Sequence, residues 1–565
     1  MFANLPITAA TSLVLGLSLM GCTAPTPSEA PWEQSAQAII EPWVSTDAPG
    51  VSVAVSIDGE VVFARGAGMA NLEHDLALTP GSVFQVASVS KQFTAFAALL
   101  LVSEGKVGLD VDIRTYIPEL ALPPQTITVR HLLDHTGGLR EQGTLTAMAG
   151  WLDDDIRTRE QVLEMITRQR GVNFEAGAEV EYSNTGYILL AEIVARVSET
   201  AFEDFAASRI FEPLGMTDTR FQASRNTLIP GRAASYYPSE NGFSNIVAAG
   251  EVMGSTGLYT SALDLLKWAG NFETRQVGDD FVFDQMAQRS AASNGDASTF
   301  GRGQELRPYN GLQTWSHGGR DAGYRSFILR VPEESFALSI VSNRTDFDTA
   351  KMAFALVDAF LSDASNYQEE ADPVWEDAAP AELASYAGNY EMYPGVIFTI
   401  AAVDEGLTFA PLGTPAGEGQ LMPQIGPREF SLSPQADISL VFEAPEHGRS
   451  ESFGYQIGLH GALPGSRIEL AAFDPALAEL SDYVGRYRST ELGTSYELTL
   501  EDGALVAKHQ RRPGFPLTPY QDDIFAGLSG PLQRVEFIRD DAGVVTGMLA
   551  SAPLAERVVF ERSGL

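Results

Sequence analysis

Ser88 and Lys91 lie three residues apart in the stretch V-A-S-V-S-K-Q, directly ahead of a long apolar run. In a helix this spacing places both side chains on one face, one turn apart. A serine hydroxyl becomes an effective nucleophile when a neighbour takes its proton, which a buried lysine with a lowered pKa can do. The pair therefore indicates an activated serine, although a serine at a helix start is also commonly a cap. Ser103 and Lys106 repeat the spacing where the apolar run ends, and we interpret that copy as coincidental.

Tyr182 and Asn184 form the only Y-x-N motif among the 17 tyrosines of the chain. A phenol beside a lysine can pass a proton between nucleophile, base and leaving group, and an asparagine amide can hold a substrate carbonyl. The alternative interpretation of Tyr182 is a partly buried core ring. The motif predicts a proton relay if the folded chain brings it close to Ser88.

His317, Gly318 and Gly319 precede a strand-like segment, Y-R-S-F-I-L-R-V. A pair of glycines there allows a substrate backbone to lie close against an edge strand. The next backbone N–H, that of Arg320, would then complete an oxyanion hole. The alternative is a simple glycine turn that leads into a strand.

In this order, S-x-x-K, Y-x-N and H-G-G resemble the three motifs of the serine β-lactamase and penicillin-binding protein superfamily. The likeness is greatest to its class C-like branch, which also holds D-stereospecific peptidases and esterases. Two further segments fit that branch, I-T-V-R-H-L-L-D-H-T-G-G-L at 127–139 and G-L-Y-T-S-A-L-D-L at 257–265. The resemblance covers about residues 33–366 and implies an α/β (α+β) catalytic domain with a central antiparallel sheet.

The resemblance also implies a role for each matching residue. Ser88 would be the acylated nucleophile, and Lys91 and Tyr182 would share the base and acid roles. Asn184 would orient the substrate. The backbone N–H groups of Ser88 and Arg320 would form the oxyanion hole.

The third motif departs from the pattern of the β-lactamases, and the departure bears on the substrate. His317, followed by Gly318 and Gly319, stands where those enzymes carry the lysine of K-T-G, so the three residues would bind substrate. A neutral imidazole holds a carboxylate less well than a permanent ammonium does. The histidine therefore favours peptide, amide or ester substrates over penicillins.

Local sequence patterns predict the elements that position these motifs. Alternating residues over 49–68 read as two strands joined at Asp58 and Gly59. The apolar run after Lys91 predicts a helix of about four turns that ends near Gly105. Other predicted segments are a first helix within 30–44, helices and loops over roughly 110–270, strands at 324–331 and 335–343, and a helix at 350–362. This order predicts a central antiparallel sheet closed by both ends of the domain.

The C-terminal third contains an internal repeat, because A-E-L-x-x-Y-x-G-x-Y occurs at 381–390 and again at 478–487. Each copy opens a series of short alternating strands, which predicts two small antiparallel barrels or sandwiches over 381–474 and 478–565. An acidic, proline-containing segment at 367–380 reads as a linker. The layout resembles that of the D-aminopeptidases. Either the two β-domains restrict substrates at the active-site mouth, or they bind wall or partner surfaces.

The N-terminal residues predict export. Residues 7–20 are an apolar run of 14 positions, which is too short to span a bilayer as a helix. The run ends in L-M-G-C, which resembles a bacterial lipoprotein box with Cys22 as the lipidated residue. We therefore predict a signal peptide at 1–21, a tether at 22–32 and a periplasmic or outer-membrane-anchored lipoprotein. The alternatives are a plain export signal or a misassigned start codon.

Composition excludes several classes of partner. The net charge of −37 leaves few groups to neutralise phosphates, so nucleic acid is excluded and membrane contact is expected only through Cys22. Cys22 is also the only cysteine, so no intrachain disulfide forms. His131 and His135 have the spacing of two zinc ligands, but no third ligand follows at metal spacing, and we expect no metal or other cofactor. The sequence contains no G-x-S-x-G motif, so it does not support a nucleophile elbow of the α/β-hydrolase type.

The sequence therefore predicts an exported serine hydrolase that forms an acyl-enzyme on Ser88. The preferred substrate is a D-residue-containing peptide or amide. The alternatives are a carboxylesterase, then a β-lactamase or DD-carboxypeptidase. A rival of another class is a non-catalytic scaffold that presents its β-domains to partners, and the intact Ser88, Lys91 and Tyr182 weigh against it. The sequence does not fix the oligomeric state.

Overall fold

The computed structural model describes most of the chain, in eight parts. These parts are residues 31–295, 297–369, 377–412, 414, 418–433, 438–457, 460–470 and 477–563. The predicted signal peptide at 1–21 and Cys22 lie outside the described residues, as does part of the predicted linker. Among the helices that the structure describes, none is both long enough and apolar enough to cross a membrane.

Eight strands of the N-terminal domain form a central antiparallel sheet, and short strands lie outside it. The strands that the structure describes in this domain are β1 (Val51–Ile57), β2 (Glu60–Ala67), β3 (Met69–Asn71), β4 (Leu76–Ala77), β5 (Phe84–Gln85), β6 (Arg220–Phe221), β7 (Tyr236–Ser239), β8 (Gly242–Asn245), β9 (Leu258–Thr260), β10 (Arg289–Ala291), β11 (Ala297–Gly301), β12 (Glu305–Tyr309), β13 (Leu312–Asp321), β14 (Tyr324–Val331) and β15 (Phe336–Ser342). The sheet order is β10-β11-β12-β13-β14-β15-β1-β2. Strand β1 pairs with β15 from Val51↔Ser342 to Ile57↔Phe336. The predicted sheet, closed by both ends of the domain, is therefore confirmed.

The helices of this domain pack around a buried central helix. They are α1 (Pro31–Ile40), α2 (Ser90–Ser103), α3 (Val129–Leu133), α4 (Gln142–Met148), α5 (Arg159–Thr167), α6 (Asn184–Ser198), α7 (Phe202–Ala206), α8 (Ala262–Thr274), α9 (Asp280–Met286) and α10 (Thr349–Leu361). Every residue of α2 from Ser90 to Leu101 is buried. A helix without a polar face must be surrounded by protein. Trp268 of α8 packs on Phe93 and Phe96 of α2, with ring centroids 4.4 and 5.1 Å away.

The stretch 110–270 differs in part from the prediction of helices and loops. It also contains the short strands β6 to β9, and β9 pairs with β5 just before Ser88. Strands of two to four residues are too short to show a period of two in the sequence. By contrast, the turn between β1 and β2 lies at Asp58 and Gly59, as predicted, and both have positive φ (51° and 77°). Such a turn matches the twist of the hairpin.

The C-terminal third forms two all-β units. The first contains helix α11 (Pro380–Tyr386) and the strands β16 (Gly388–Tyr393), β17 (Val396–Val403), β18 (Gly406–Pro411), β19 (Gln420–Met422), β20 (Gln424–Gly426), β21 (Glu429–Ser433), β22 (Ile438–Phe442), β23 (Ser452–Ile457) and β24 (His460–Ile468). The second contains helix α12 (Leu477–Leu480) and the strands β25 (Gly485–Ser489), β26 (Thr494–Glu501), β27 (Ala504–His509), β28 (Arg512–Gln521), β29 (Ile524–Ala526), β30 (Arg534–Arg539), β31 (Val545–Ala552) and β32 (Ala555–Ser563). Strands β16 to β24 form a nine-stranded sheet whose two outer strands, β19 and β20, are consecutive in the chain. Strands β25 to β32 form a closed barrel. The predicted all-β character is confirmed.

The repeated motif folds the same way in both units. In the first copy, the Tyr390 hydroxyl donates to the Tyr386 carbonyl at 2.8 Å. Gly388 leaves room for the Arg467 guanidinium, because a Cβ there would lie 1.9 Å from its Nη1. In the second copy, Tyr487 donates to the Tyr483 carbonyl at 2.9 Å and Arg562 lies beside Gly485. The motif therefore encodes one packing unit that is used twice.

The second barrel packs directly on the N-terminal domain. Leu145 and Met148 belong to the same apolar cluster as the barrel interior. Arg140 forms an ion pair of 2.8 Å with Glu491, and the side chains of both are at most 4% exposed. The loop between β31 and β32 reaches the start of α4, where the Leu554 carbonyl accepts the Glu141 N–H at 2.7 Å. The barrel is therefore part of the structure that surrounds the Y-x-N motif.

Candidate active site

Ser88 lies in a 3₁₀ turn, Ala87–Val89, that leads into α2. The turn comes directly before the first residue of α2, Ser90. Ala87 has a φ of 47°, an uncommon value for a residue with a side chain. Ala87 and Val89 are buried while Ser88 remains partly exposed. The turn therefore leaves Ser88 partly accessible, while the residues on either side of it are buried.

Lys91 contacts three oxygen atoms. Its Nζ donates to Ser88 Oγ at 3.2 Å, to Asn184 Oδ1 at 2.6 Å and to the Ser255 carbonyl at 2.9 Å. The residue has no solvent exposure. This arrangement holds the amine beside the hydroxyl whose proton it would accept.

Burial lowers the pKa of Lys91 to about 7, and the nearby carboxylates Glu141 and Asp321 oppose that shift. The lowered pKa means that a substantial fraction of the amine is neutral near pH 7, so it can act as a base. The spacing of Ser88 and Lys91, together with the family resemblance, predicted this base, and in the structure Lys91 has the burial that the chemistry requires.

Tyr182 lies against the same amine. Lys91 Nζ is 4.7 Å from the centroid of the Tyr182 ring, and His135 stacks on that ring with centroids 4.7 Å apart. Burial raises the pKa of Tyr182, while a side-chain hydrogen bond with Ser88 opposes the shift. At neutral pH Tyr182 therefore stays a phenol, which can donate or relay a proton.

The H-G-G motif lies inside β13, not in a turn before the next strand. Gly319 pairs with Ser326 of β14. On the other side of β13, pairing with β12 ends at Ser316. Among the residues that the structure describes, no strand pairs with this side of β13 beyond Ser316. This edge is where an extended substrate can add main-chain hydrogen bonds.

Gly319 allows β13 to pack against the 3₁₀ turn that carries Ser88. A Cβ at Gly319 would lie 2.3 Å from the Val86 carbonyl oxygen and 2.3 Å from Ser326 Oγ. Ser326 in turn donates to the Val86 carbonyl at 2.7 Å. The close approach brings the strand that contains Arg320, the predicted oxyanion donor, beside the nucleophile turn.

His317 lies on the same side of the site as Tyr182. Their ring centroids are 6.3 Å apart. His317 Nδ1 lies 2.6 Å from the Gly318 carbonyl. The three motifs, far apart in the sequence, thus converge on one site around Ser88.

His131 and His135, which share the spacing of zinc ligands, each have a role in the protein interior. His131 Nδ1 accepts the Thr128 N–H at 3.2 Å in a capping box of α3. His135 Nδ1 accepts the Ser183 N–H at 3.1 Å, which fixes its ring beneath Tyr182. No group of three or more potential metal ligands occurs within the described parts of the chain.

The sequence reasoning missed Glu141 and the Ser255 carbonyl. Glu141 is 6% exposed and accepts hydrogen bonds from the Asn184 and Thr185 main chain and from the Asn184 side chain. Its only sequence signal is its position two residues after the segment 127–139. A backbone carbonyl such as that of Ser255 has no sequence signal.

Comparison with known proteins identifies the class of this domain. Residues 35–361 match the sequence profile of the Beta-lactamase family, and residues 472–562 match a domain of unknown function (DUF3471). The first match spans more than half of the 565 residues. The chain therefore belongs to the Beta-lactamase family, and it is a serine hydrolase of that family.

Two relatives that align with nearly the whole chain are D-aminopeptidases. The chain is 25% identical over 535 residues to a D-aminopeptidase of Brucella anthropi, covering 91% of this chain and 95% of the relative. It is 24% identical over 542 residues to a D-aminopeptidase of Cereibacter sphaeroides, covering 91% and 96%.

Two solved structures resemble the fold. The D-amino acid amidase from Ochrobactrum anthropi SV3, complexed with L-phenylalanine amide, aligns with a TM-score of 0.51 and 25% identity over 60% of this chain and 100% of that chain. The octameric penicillin-binding protein homologue from Pyrococcus abyssi aligns with a TM-score of 0.53 and 20% identity, over 85% and 98%. The predicted kinship with this superfamily is confirmed.

Proposed function

We propose that the protein is an exported peptidase or amidase that cleaves D-residue-containing substrates through an acyl-enzyme on Ser88. The observation that carries the proposal is the 3.2 Å hydrogen bond from the buried Lys91 amine to the Ser88 hydroxyl. The full-length likeness to D-aminopeptidases supports the substrate class.

The proposed reaction begins with transfer of the Ser88 proton to the neutral amine of Lys91. The Ser88 oxygen attacks the substrate carbonyl, and the backbone N–H groups of Ser88 and Arg320 stabilise the oxyanion. The proton passes through the Tyr182 phenol to the leaving nitrogen, so that the amine departs and an ester remains on Ser88. Water then attacks that ester, and its proton passes through the same groups to the Ser88 oxygen. The bond between the acyl carbon and the Ser88 oxygen breaks, and the acid product leaves.

The charges around Ser88 support a substrate that carries an ammonium group. Glu141 and Asp321 act electrostatically on Lys91, and Glu141 and Glu305 act on Tyr182. Burial raises the pKa of these three carboxyl groups, and in their ionised form they favour a positive ligand and repel the carboxylate that penicillins and cell-wall peptide termini present. A free D-amino-terminal residue fits this field better than a β-lactam does.

A hydrolysis panel tests the substrate class. We expect kcat/KM for D-alanyl p-nitroanilide to exceed that for the L-enantiomer, for a short-chain p-nitrophenyl ester and for a chromogenic cephalosporin by about 100-fold or more. Ser88→Ala is expected to abolish the D-specific activity, and Ser103→Ala, the serine of the second S-x-x-K, to leave it unchanged. Preference for the ester, for the cephalosporin or for the L-enantiomer contradicts the proposed substrate.

Export and lipid anchoring form the second part of the proposal, and they rest on residues 7–20 and Cys22. Intact-mass spectrometry of the protein from the membrane fraction of its native host is expected to give a chain that begins at Cys22 with added acyl mass. Cys22→Ser is expected to release the protein from that fraction. A wild-type chain that retains Met1 contradicts export by this signal.

A further inference from the structure

Glu141 lies just before α4, and its carboxylate faces the first turn of α6. Its oxygens accept the Asn184 N–H at 2.9 Å, the Asn184 side-chain Nδ2 at 3.0 Å and the Thr185 N–H at 3.3 Å. The carboxylate therefore satisfies main-chain donors at the positive end of the α6 dipole, a favourable place for a buried anion.

The contact with the Asn184 side chain fixes the orientation of that amide. A carboxylate only accepts hydrogen bonds, so the Asn184 nitrogen must point to Glu141. The amide oxygen then points the other way, to Lys91 Nζ at 2.6 Å. The opposite orientation would place N–H donors against the amine and the amide oxygen against a carboxylate.

Several titratable groups surround Lys91, and few of them carry charge near pH 7. Burial raises the pKa of Tyr182 and Tyr187 and holds the pKa of His135 well below its usual range, so these groups are neutral. The carboxyl groups that act on the amine are Glu141, before α4, and Asp321, on β13. Burial raises the pKa of both, while hydrogen bonds from Asn184 to Glu141 and from Thr256 to Asp321 oppose that shift and favour the ionised form. Asp321 accepts from Thr256 at 2.9 Å, while Glu141 connects to the amine through Asn184.

We propose that Glu141 is a positioning residue for acylation: it holds the Asn184 oxygen toward Lys91 and balances the positive charge that forms when the amine takes the Ser88 proton. In that step the Ser88 O–H bond breaks and an N–H bond forms on Lys91. The oxygen electron pair forms the bond to the substrate carbonyl carbon, and the C=O π pair moves to the carbonyl oxygen. The inference rests on the proposed function, since it requires Ser88 as nucleophile. The second barrel supports the geometry, because Leu554 accepts the Glu141 N–H.

The test measures the rate at which a fluorophosphonate modifies Ser88 between pH 5 and pH 9, which requires no knowledge of the substrate. In the wild type the rate is expected to rise with pH around a midpoint near 7, because the neutral amine is the base. The Glu141 charge stabilises the ammonium, so Glu141→Gln is expected to move the midpoint about one unit to lower pH. The plateau rate is expected to fall about 100-fold, because the Asn184 orientation is lost.

Glu192→Gln provides the matched control, because Glu192 is a buried glutamate on α6 that pairs with Arg159 and Arg196. Its midpoint is expected to equal that of the wild type. Glu141→Asp keeps the negative charge but shortens the side chain. It therefore tests the positioning role even if the glutamine variant does not fold. We expect an unshifted midpoint with a plateau about tenfold lower.

Three outcomes overturn the inference. An unshifted midpoint in a folded Glu141→Gln reduces Glu141 to a structural role, and a wild-type plateau in Glu141→Asp removes the positioning role. A wild-type protein that does not react refutes the proposed function, and the inference with it. If the wild type reacts and the midpoint of Glu141→Gln equals that of the wild type, the role of Glu141 is refuted while the proposed function still holds.

Discussion

Lys91→Ala is expected to lower kcat/KM on D-alanyl p-nitroanilide by about 10⁴-fold, and the fluorophosphonate rate by a similar factor. The amine donates to Ser88 Oγ at 3.2 Å, and its burial makes it a base near neutral pH. Tyr182 cannot take over, because burial raises the pKa of its phenol. Steady-state kinetics and the fluorophosphonate rate, both measured at pH 8, check the result.

The chain contains its own control for this substitution. Lys106 belongs to the second S-x-x-K, yet it is exposed and pairs with Glu104 at 2.8 Å. Ser103, its partner in that motif, donates instead to Asp279. Lys106→Ala is expected to keep wild-type kinetics, and circular dichroism of both variants verifies folding. Turnover within tenfold of the wild type in Lys91→Ala would exclude the amine as the base.

The local elements were predictable because short-range physics determines them. Asp58 and Gly59 form the turn because both tolerate a positive φ. The run after Lys91 is apolar on every face, which predicts a helix that is buried on all sides, as α2 is. Ser88 shows the limit of this reasoning. Its 3₁₀ turn depends on a positive φ at Ala87, and alanine gives no sequence signal for that conformation.

The parts of the site that the sequence did not reveal come from contacts between distant segments. Glu141 lies 43 residues before Asn184, and neither helical nor strand periodicity relates them. The Ser255 carbonyl reaches Lys91 from 164 residues away, and every residue type has such a carbonyl. The family resemblance identified the motif residues, but it did not identify Glu141 or the Ser255 carbonyl, which hold those residues in place.

The position of the second barrel was equally hidden, because 351 residues separate Arg140 from Glu491. Removal of one partner from a buried ion pair leaves an uncompensated charge, so substitution of either residue alone is expected to weaken the packing of the barrel on the domain. The Leu554 carbonyl then joins the barrel to Glu141. These contacts support the prediction that the β-domains restrict substrates, because the second unit packs beside the Y-x-N motif.

Gly319→Ala is expected to reduce kcat by about 10²- to 10³-fold while the protein stays folded. The added methyl group would lie 2.3 Å from the Val86 carbonyl oxygen, a main-chain atom that cannot rotate away as the Ser326 hydroxyl can. The strand must therefore move away from the turn that carries Ser88. That movement separates the two proposed oxyanion donors, the N–H groups of Ser88 and Arg320. Lys91 keeps its contacts with Ser88, Asn184 and the Ser255 carbonyl, none of which lies on β13.

The matched control is Gly270→Ala, because a Cβ at Gly270 in α8 meets nothing within 4 Å. That change is expected to leave kcat unaltered and to raise the free energy of unfolding by about 0.5–1 kcal/mol, since alanine favours the helix. The fluorophosphonate rate separates causes in the Gly319 variant. If the fluorophosphonate rate of the Gly319 variant falls as much as its kcat does, the substitution impairs the attack by Ser88. The reason is that the phosphonyl oxygen also needs the two N–H donors. A variant with wild-type kcat would show that β13 does not supply the oxyanion donor.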